Sequence, residues 1–344
     1  MDSLYICWSY HHIFCAVERV LANKEKASIV IVFRDGNPRQ DIFEKLKGTD
    51  IFTDVYSFYE QNYLWPVSKK RIIKYSLNRY YAVKNDLDYA FPVDIFSFDE
   101  IFTFYDSSIV GAYLNVKKRP YHIIEDAKTC FTTEVLKRIE PSIRKLIYEP
   151  SLLIKILKKI GYIIPIFGES KYCIDIEVDS ETGIYKTSHN KNKFVMIPLE
   201  SYEKKLSENE VDMIIDLFSS DMKIDISKKY RLLLTEPLKV DGRLQSYREQ
   251  KIVYKSIIDD LERESSDFLL IKPHPRDTFD YRKVFNSSRI FTLDKTFPSE
   301  VISLIANDCI EHYYTITSSA IYSFPESKCT VLGNEYLNKV LNDA

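Results

Sequence analysis

Short apolar runs alternate with longer segments of helical periodicity along most of the chain. Several of these runs are continuously apolar, which is typical of strands buried on both faces of a sheet. Such strands, separated by amphipathic helices, predict βαβ units and a mainly parallel sheet. The predicted strands are Leu4–Trp8, Ala27–Phe33, Phe52–Tyr56, Asp99–Thr103, Tyr121–Glu125, Phe194–Pro198, Arg231–Thr235, Phe268–Lys272, Ile290–Leu293 and Tyr313–Thr317. The predicted helices include His12–Asn23, Arg39–Leu46, Ser68–Lys84, Ser207–Ser219, Gln245–Glu264 and Pro298–Ala306.

The strands and helices occur in two series. The first series ends near Asp126 and is followed by a lysine-rich helical stretch (137–160) and a polar, turn-rich segment (177–192). The second series starts near Phe194 or, more cleanly, at Arg231. Two successive series of βαβ units indicate two separate parallel sheets.

The length and composition agree with two globular domains. The chain has 344 residues, of which 45% are hydrophobic and 28% charged, so that each of two domains can bury its own core. We predict an α/β protein with two doubly wound, Rossmann-type domains that face each other across a cleft. The predicted division is into residues 1–190 and 191–344.

Charge and glycine content exclude several classes of protein. Lys and Arg number 48 against 50 Asp and Glu, a net charge of −2, which argues against a dedicated nucleic-acid-binding protein. Only eight glycines occur, and the chain has neither a GxGxxG nor a GxxxxGK[ST] motif. A glycine-rich dinucleotide or P-loop site is therefore not expected.

The sequence also predicts where the protein works. The N-terminal residues lack the basic start and long apolar run of a secretion signal, and no apolar stretch reaches the roughly 18 residues that span a bilayer. The six scattered cysteines form no CxxC pair, which is typical of reduced thiols. We therefore expect a soluble, cytoplasmic protein. The stretch 137–160 leaves open a peripheral helix on the inner face of the membrane or an exposed interdomain helix, and a homodimer also stays open.

Polar residues follow five of the predicted strands. In open α/β sheets, ligands bind beyond the carboxyl ends of the strands, so these residues are candidates for a site. They are Ser9, His11, His12, Glu125, Asp126, Thr235, Glu236, Asp241, Lys272, His274, Arg276, Ser318 and Ser319. Carboxylates, basic groups, paired hydroxyls and a histidine are together typical of a phosphate-handling transferase.

The sharpest motif is Lys272-Pro273-His274-Pro275-Arg276. Each proline fixes its own φ and favours extended geometry in the residue before it, so His274 is expected in a stiff loop. A rigid imidazole between two cations suits a phosphate, to which it can donate a hydrogen bond or a proton. The alternative is a turn histidine packed against the edge of the sheet.

Two further pairs have both a catalytic and a structural interpretation. The adjacent acids Glu125 and Asp126 can raise each other's pKa, which suits a general base, or they can cap the next helix. Ser318 and Ser319 can bind a phosphate, cap the helix that follows, or do both.

Other polar motifs do not support a metal site. Asp86-Leu87-Asp88 has the form of a metal–nucleotide clamp but lies in a polar run with no apolar strand before it, so we predict a solvated turn. His11 and His12 could bind a metal, but no second cluster has the spacing of metal ligands. No metal site is therefore predicted.

Four short motifs resemble those of the bacterial sialyltransferases of glycosyltransferase family 52 and its relatives, which act on lipooligosaccharide and capsular polysaccharide. That family has motifs of the form Glu/Asp-Asp-Gly, Lys-x-His-Pro, Pro-x-Glu and Ser-Ser/Thr. Here they stand, in the same order, as Glu125-Asp126-Ala127, Lys272-Pro273-His274-Pro275, Pro298-Ser299-Glu300 and Ser318-Ser319. The first strand and loop, which include Ser9 and His11, also resemble the family.

The resemblance implies a GT-B architecture and inverting transfer of sialic acid from CMP-sialic acid to a surface oligosaccharide or polysaccharide, with no metal or other cofactor. It implies that Asp126 or Glu125 takes the acceptor proton and that His274 binds the donor phosphate and acts as the acid. Acceptor residues would lie in the first domain, with Ser9 and His11 on the sugar side. Donor residues would lie in the second domain, at Lys272, Pro275, Glu300, Ser318 and Ser319.

One departure from the family pattern concerns the base. Ala127 stands where the motif has glycine, which can adopt backbone conformations that alanine resists. Asp241, in another loop at a strand end, is therefore the second candidate for the base.

Three alternatives to a sialyltransferase stay open. The donor could be CMP-Kdo or a UDP-sugar, because the motifs indicate a nucleotide phosphate more than a particular sugar. The chain could instead be a nucleotide-sugar-binding protein without transferase activity. A peripheral membrane assembly factor would depend on the stretch 137–160 alone.

Overall fold

The computed structural model shows two compact units, Met1–Glu210 and Val211–Ala344. The division lies after Glu210, later than the sequence predicts, because strand Phe194–Met196 pairs with the sheet of the first unit. The residues that the structure describes are 1–33, 40–60, 87–126, 130–132, 151–159, 165–198, 200–218, 224–225, 227–265, 267–306 and 309–343.

The sheet described for the first unit has seven strands. They are β1 (Asp2–Cys7), β2 (Lys26–Phe33), β3 (Val55–Tyr59), β4 (Glu100–Thr103), β5 (Tyr121–Ile124), β6 (Cys173–Val178) and β7 (Phe194–Met196). Their order is β3-β2-β1-β4-β5-β6-β7, and every neighbouring pair is parallel. This is the doubly wound order, which reverses between β1 and β4, and open sheets of this kind bind ligands at such a reversal.

Helices follow the strands of the first unit. They are α1 (Tyr10–Asn23), α2 (Gln40–Lys47), α3 (Leu87–Ala90), α4 (Ile109–Val116), α5 (Leu152–Lys159), α6 (Glu200–Glu203) and α7 (Glu208–Phe218), the last of which continues into the second unit. Buried aliphatic side chains of β1, such as Leu4 and Ile6, pack with those of β2 and α4 in one core. α1 begins directly after β1 because the Ser9 hydroxyl accepts the backbone N–H of His12 and caps the helix.

The second unit repeats the arrangement with a five-stranded sheet. Its strands are β8 (Tyr230–Leu234), β9 (Phe268–Lys272), β10 (Ile290–Thr292), β11 (Ile310–Thr315) and β12 (Cys329–Val331). They lie in the order β10-β9-β8-β11-β12, all parallel, so the reversal falls between β8 and β11. The helices are α8 (Tyr247–Glu264), α9 (Tyr281–Val284), α10 (Ser299–Ala306) and α11 (Gly333–Asn342).

The periodicity of α8 explains how the second core forms. Ser246 caps its start, and Val253, Ile257 and Leu261 recur every four residues on one buried face. This face packs in one cluster with Leu233 of β8 and Ile271 of β9, so the helix covers one side of the sheet.

The doubly wound arrangement predicted from the sequence is confirmed in each unit. All ten predicted strands are present, with ends shifted by up to three residues, and the five predicted helices that fall on described residues are present as well. β6 and β12 were not predicted. β6 escapes a hydrophobicity pattern because Asp175 and Glu177 interrupt it. Both have partners in the fold, since Asp175 is hydrogen-bonded to His122 at 2.8 Å and Glu177 forms an ion pair with Arg19.

Several predictions fall partly or wholly outside the described residues. The predicted helix Ser68–Lys84 lies outside them, and of the stretch 137–160 the described part is residue 151 and α5. The turn predicted at 86–88 is wrong in its described part, because Leu87 is buried and begins α3. Within the described ranges, no helix combines the length and the apolar character that a bilayer span requires.

Candidate functional site

A histidine–aspartate pair lies at the carboxyl edge of the first sheet. Asp126 follows β5, and its Oδ1 is hydrogen-bonded to Nε2 of His12, near the start of α1. His12 Nδ1 accepts the backbone N–H of Trp8 at 3.0 Å. The ring of His12 is fully buried, whereas 30% of the Asp126 side chain is exposed. The Asp126 carboxylate is therefore partly accessible to solvent, and its buried side is hydrogen-bonded to the His12 imidazole.

The surroundings of Asp126 keep it ionised. Burial by itself raises the pKa of the Asp126 carboxyl, but the His12 ring, a hydrogen bond from Tyr105 and the nearby His11 lower it to about 2. A carboxylate with such a pKa is a negative charge at every physiological pH. It can accept a hydrogen bond, or a proton from a group that becomes strongly acidic during a reaction.

The other candidates near Asp126 have structural partners. Glu125 Oε2 accepts the backbone N–H of Asp179 at 3.1 Å, which ties the end of β5 to the end of β6. The Ser9 hydroxyl is engaged as the cap of α1. His11 Nε2 lies 3.6 Å from Cys15 Sγ and acts on Asp126 through its charge. Of the two adjacent acids, Asp126 is thus the one set against a histidine. Ala127 lies outside the described residues.

A second histidine is fixed at the carboxyl edge of the second sheet. His274 follows β9 between Pro273 and Pro275, as predicted, and its Nδ1 accepts the backbone N–H of Arg276 at 3.1 Å. The proton of the neutral ring is therefore on Nε2, which leaves this N–H to point away from its own loop.

Electrostatics make His274 a neutral hydrogen-bond donor. Burial lowers its pKa to about 4, and the positive charges of Arg276 and Lys272 contribute to this shift. The imidazole is therefore uncharged at neutral pH, and it becomes a proton donor only if a bound anion raises its pKa.

Lys272 stabilises the loop that carries His274 through hydrogen bonds to the backbone. Its Nζ donates to the carbonyl oxygens of Pro273 at 2.7 Å and Lys295 at 3.0 Å. Burial lowers the pKa of Lys272 to about 8, while the negative charges of Glu300 and Asp294 oppose this shift. The ammonium thus stabilises the His274 loop and lies close to Glu300, the second residue of α10.

The remaining predicted residues lie in loops of the second unit. Asp241 forms a two-bond ion pair with Arg276, with Nη1 to Oδ1 at 2.8 Å and Nη2 to Oδ2 at 3.3 Å. Its carboxylate is thus committed to a cation, unlike that of Asp126. The Ser318 hydroxyl accepts the N–H of Ala320 at 3.3 Å and caps a short 3-10 helix, and Ser319 is exposed there.

Glu236, which the sequence offered only as one of the polar residues after a strand, joins the ends of β8 and β11. This buried carboxylate accepts hydrogen bonds from the Thr315 hydroxyl (2.9 Å) and from the Thr317 amide (2.5 Å) and hydroxyl (2.9 Å), and it pairs with Arg243 (2.5 Å). These donors fix the two strand ends on either side of the reversal in strand order. The signal available in the sequence was an acid after one strand and threonines after another.

Asp277 is a residue that sequence reasoning missed. Its buried carboxylate accepts hydrogen bonds from Gln250 Nε2 and the Tyr281 hydroxyl, both at 2.8 Å, and its own N–H donates to the His274 carbonyl at 2.9 Å. The Asp277 network anchors the far end of the His274 loop to α8. No local sequence pattern marks it, because its partners are up to 27 residues away.

No metal centre is evident in the described part of the chain, where no three His, Cys, Asp or Glu side chains converge. Each unit has its own candidate site. In the first unit it is the partly exposed Asp126 carboxylate bonded to buried His12. In the second unit it is the neutral His274 in its proline-flanked loop.

Comparison with solved structures identifies the fold. Residues 113–497 of a Photobacterium damselae sialyltransferase, described as its GT-B domain, match over 95% of this chain and 89% of that one, with 13% identity and a TM-score of 0.54. A 2,6-sialyltransferase of Photobacterium sp. JT-ISH-224, in complex with CMP and lactose, matches over 95% and 70%, with 11% identity and a TM-score of 0.56. At such low identity the likeness establishes the fold, which is of the GT-B type.

Comparison of sequences identifies the family. An uncharacterized protein of Haemophilus influenzae is 31% identical over 181 residues, which are 52% of this chain and 56% of that relative. The match thus spans little more than half the length of the relative. The model of glycosyltransferase family 52 matches residues 42–333, which include Asp126, the His274 loop, Glu300 and the Ser318-Ser319 pair. The chain therefore belongs to glycosyltransferase family 52.

Proposed function

We propose that the chain transfers sialic acid from CMP-sialic acid to a sugar hydroxyl of a surface oligosaccharide or polysaccharide, with inversion and without a metal or other cofactor. The observation that carries this proposal is the ionised, partly exposed Asp126 carboxylate at the edge of a GT-B sheet in a family 52 chain. The choice of donor is supported by sialyltransferases among the structural neighbours, one of them bound to CMP and lactose.

In the proposed reaction the acceptor oxygen attacks the anomeric carbon of sialic acid while the bond from that carbon to the CMP phosphate breaks. The acceptor proton passes to Asp126, and the bonding electrons leave with the phosphate. A carboxylate whose pKa is about 2 does not deprotonate a sugar hydroxyl beforehand, so the proton moves as the new bond forms. One displacement at one carbon inverts its configuration.

The donor contacts are proposed in the second unit. His274 Nε2–H is well suited to a phosphate oxygen, because its tautomer is fixed by Arg276 N–H and its loop by two prolines. Further donor contacts are proposed for Lys272, Pro275, Glu300, Ser318 and Ser319.

A thermal-shift panel with CMP, UMP, UDP, GDP and CMP-sialic acid tests the donor class. A ligand at 100 times its dissociation constant stabilises a fold by about 2.7 kcal/mol, which is readily measured. We expect stabilisation by CMP and CMP-sialic acid alone. Stabilisation by UDP or GDP would retain a family 52 transferase but discard sialic acid, and no shift with any nucleotide would contradict the proposed site.

Release of CMP with and without acceptor then separates an enzyme from a binding protein. A transferase releases CMP faster when acceptor is present, whereas a non-catalytic protein binds CMP and releases no sugar. The same assay in a metal chelator tests independence from metal, for which we expect an unchanged rate.

Binding of CMP is expected to raise the pKa of His274 from about 4 towards neutrality. The negative phosphate would lie beside the imidazole and offset the desolvation and the two cations that lower the pKa of the unliganded ring. The shift is measured by NMR titration of 15N-labelled histidine with and without CMP. His122, bonded to Asp175 in the first unit, is the internal control and should not respond. An unchanged His274 titration in saturated protein would remove its role at the phosphate.

The helix α5 supports a proposal of peripheral membrane contact. Leu152, Leu153 and Ile156 are 75%, 56% and 49% exposed, and they lie on one face of the helix beside exposed Lys155. An exposed apolar face next to lysine is typical of helices at an anionic lipid surface.

We expect replacement of all three apolar residues by serine to reduce co-sedimentation with anionic vesicles several-fold, because the area that enters the lipid is lost. Phe96→Ser, at an exposed aromatic residue elsewhere in the same unit, is the matched control and should bind like wild type. Equal binding to anionic and zwitterionic vesicles, or no effect of the triple variant, would contradict this contact.

A further inference from the structure

A backbone amide decides which nitrogen of His12 carries the proton. The last residue of β1 is Cys7, so the N–H of Trp8 lies just beyond the described strand pairing and donates to His12 Nδ1 at 3.0 Å. A backbone N–H always carries its proton, so Nδ1 must stay an acceptor. The ring therefore keeps its proton on Nε2, where Asp126 Oδ1 accepts it.

The packing around His12 holds its ring in a single orientation. Phe104 lies parallel to it with the ring centroids 3.9 Å apart and an interplanar angle of 2°. Trp8 and Tyr105 meet it edge-on at 6.3 and 5.2 Å. The side chain has no exposed surface. A proton on Nδ1 would therefore point at the Trp8 N–H, which cannot accept it, with no water to take its place.

We propose that His12 is the positioning residue for Asp126. Its Nε2–H fixes the direction of the Asp126 carboxylate and favours its ionised state. The Trp8 amide keeps the proton on that nitrogen. This inference rests on the proposed function in one respect, namely that Asp126 is the base. Among the described residues, those that face Asp126 are His11 and His12 of α1 and Tyr105 after β4. The tautomer of His12 is fixed by the main chain.

The proposal differs from a purely structural role in what it predicts for catalysis. A fixed carboxylate lowers the activation barrier by being correctly oriented before the acceptor arrives. Loss of one hydrogen bond to a charged group lowers kcat about 10- to 100-fold, with KM for the donor little changed, because donor contacts are proposed in the other unit.

Two conservative variants separate the two bonds of His12. In His12→Asn the side-chain oxygen takes the place of Nδ1 and can still accept the Trp8 amide, but the side chain is too short to reach Asp126. In His12→Gln the amide nitrogen takes the place of Nε2 and can still donate to Asp126. We expect kcat to fall in the asparagine variant and to be partly retained in the glutamine variant.

The decisive measurement needs no substrate. The carboxyl of Asp126, labelled with 13C, is titrated by NMR in wild type and in both variants. The midpoint is expected to move upward by roughly one pH unit or more in His12→Asn and less in His12→Gln, because the hydrogen bond favours the ionised form. His122→Asn, which breaks the comparable His122–Asp175 pair of the same sheet, is the matched control and should leave Asp126 unchanged.

The outcomes distinguish this inference from the proposed function. An Asp126 titration in His12→Asn identical to wild type would overturn the positioning role, whatever the activity. A wild-type protein that transfers no sugar from any donor would overturn the proposed function while the titration still decides the role of His12. Should the asparagine variant not fold, 15N spectra of the wild-type histidines decide it, since a His12 proton on Nδ1 contradicts the proposal.

Discussion

Replacing Asp126 by asparagine is expected to lower the rate of sialic acid transfer about a thousandfold, the usual scale for loss of a general base. The asparagine oxygen can still accept the His12 N–H, so the fold is kept while the negative charge that takes the acceptor proton is removed. Affinity for CMP should stay within about twofold, because the donor contacts are proposed at the other sheet. Initial rates of transfer and the CMP dissociation constant are the two measurements.

Asp241→Asn is the informative comparison for this experiment. Asp241 was the second candidate for the base, but its carboxylate is bonded to Arg276. Its loss should act through the loop and cost about tenfold or less, as for one ion pair at a partly exposed site. If Asp241→Asn abolished transfer while Asp126→Asn did not, the assignment of the base would be wrong.

Replacing Gly111 by alanine is expected to destabilise the first unit by about 3 to 5 kcal/mol. A Cβ atom at this position in α4 would lie 2.2 Å from the carbonyl oxygen of Asp106. Neither side can move easily, because Ser108 caps the helix at the Gly111 amide. The Asp106 side chain in turn accepts the N–H groups of Phe167 (2.7 Å) and Gly168 (2.8 Å). Denaturant unfolding, followed by circular dichroism, measures the change.

Gly242→Ala provides the control for that variant. Gly242 has a φ of +72°, but no atom lies within 4 Å of where its Cβ would be. Alanine at this position should lower the free energy of unfolding by about 1 kcal/mol, because it meets only the cost of a positive φ and no steric clash. A similar loss of stability in the two variants would show that the contact between Gly111 and Asp106 relaxes, against our expectation.

The sequence predicted the fold well because parallel strands buried on both faces are continuously apolar. β1, β2, β8 and β9 are of this kind, and each was predicted within two residues of its observed bounds. β6 was missed for the opposite reason. Its acids Asp175 and Glu177 become acceptable in a sheet only through His122 and Arg19, residues far away in the sequence.

In the candidate sites too, features that depend on neighbouring residues could be predicted, whereas features that depend on distant residues could not. Proline geometry acts within a few residues, so the stiff His274 loop could be predicted, whereas its anchor Asp277 depends on Gln250 and Tyr281. The choice of Asp126 over Glu125 needed the position of His12, which is 114 residues away. Of the two adjacent histidines, the sequence favoured His11, and the distinction lies in which ring turns inward to the Trp8 amide.

In both units a histidine receives its fixed tautomer from the main chain, from Trp8 N–H in one and Arg276 N–H in the other. A main-chain donor cannot be deleted by an ordinary change of side chain. Substitution of Trp8 or Arg276 therefore leaves the Nε2 protons of His12 and His274 in place, unless the new residue is proline, which has no backbone N–H. Directed evolution of this scaffold towards other donors or acceptors can thus vary the surrounding side chains widely while the proton arrangement on which the chemistry depends is inherited with the backbone.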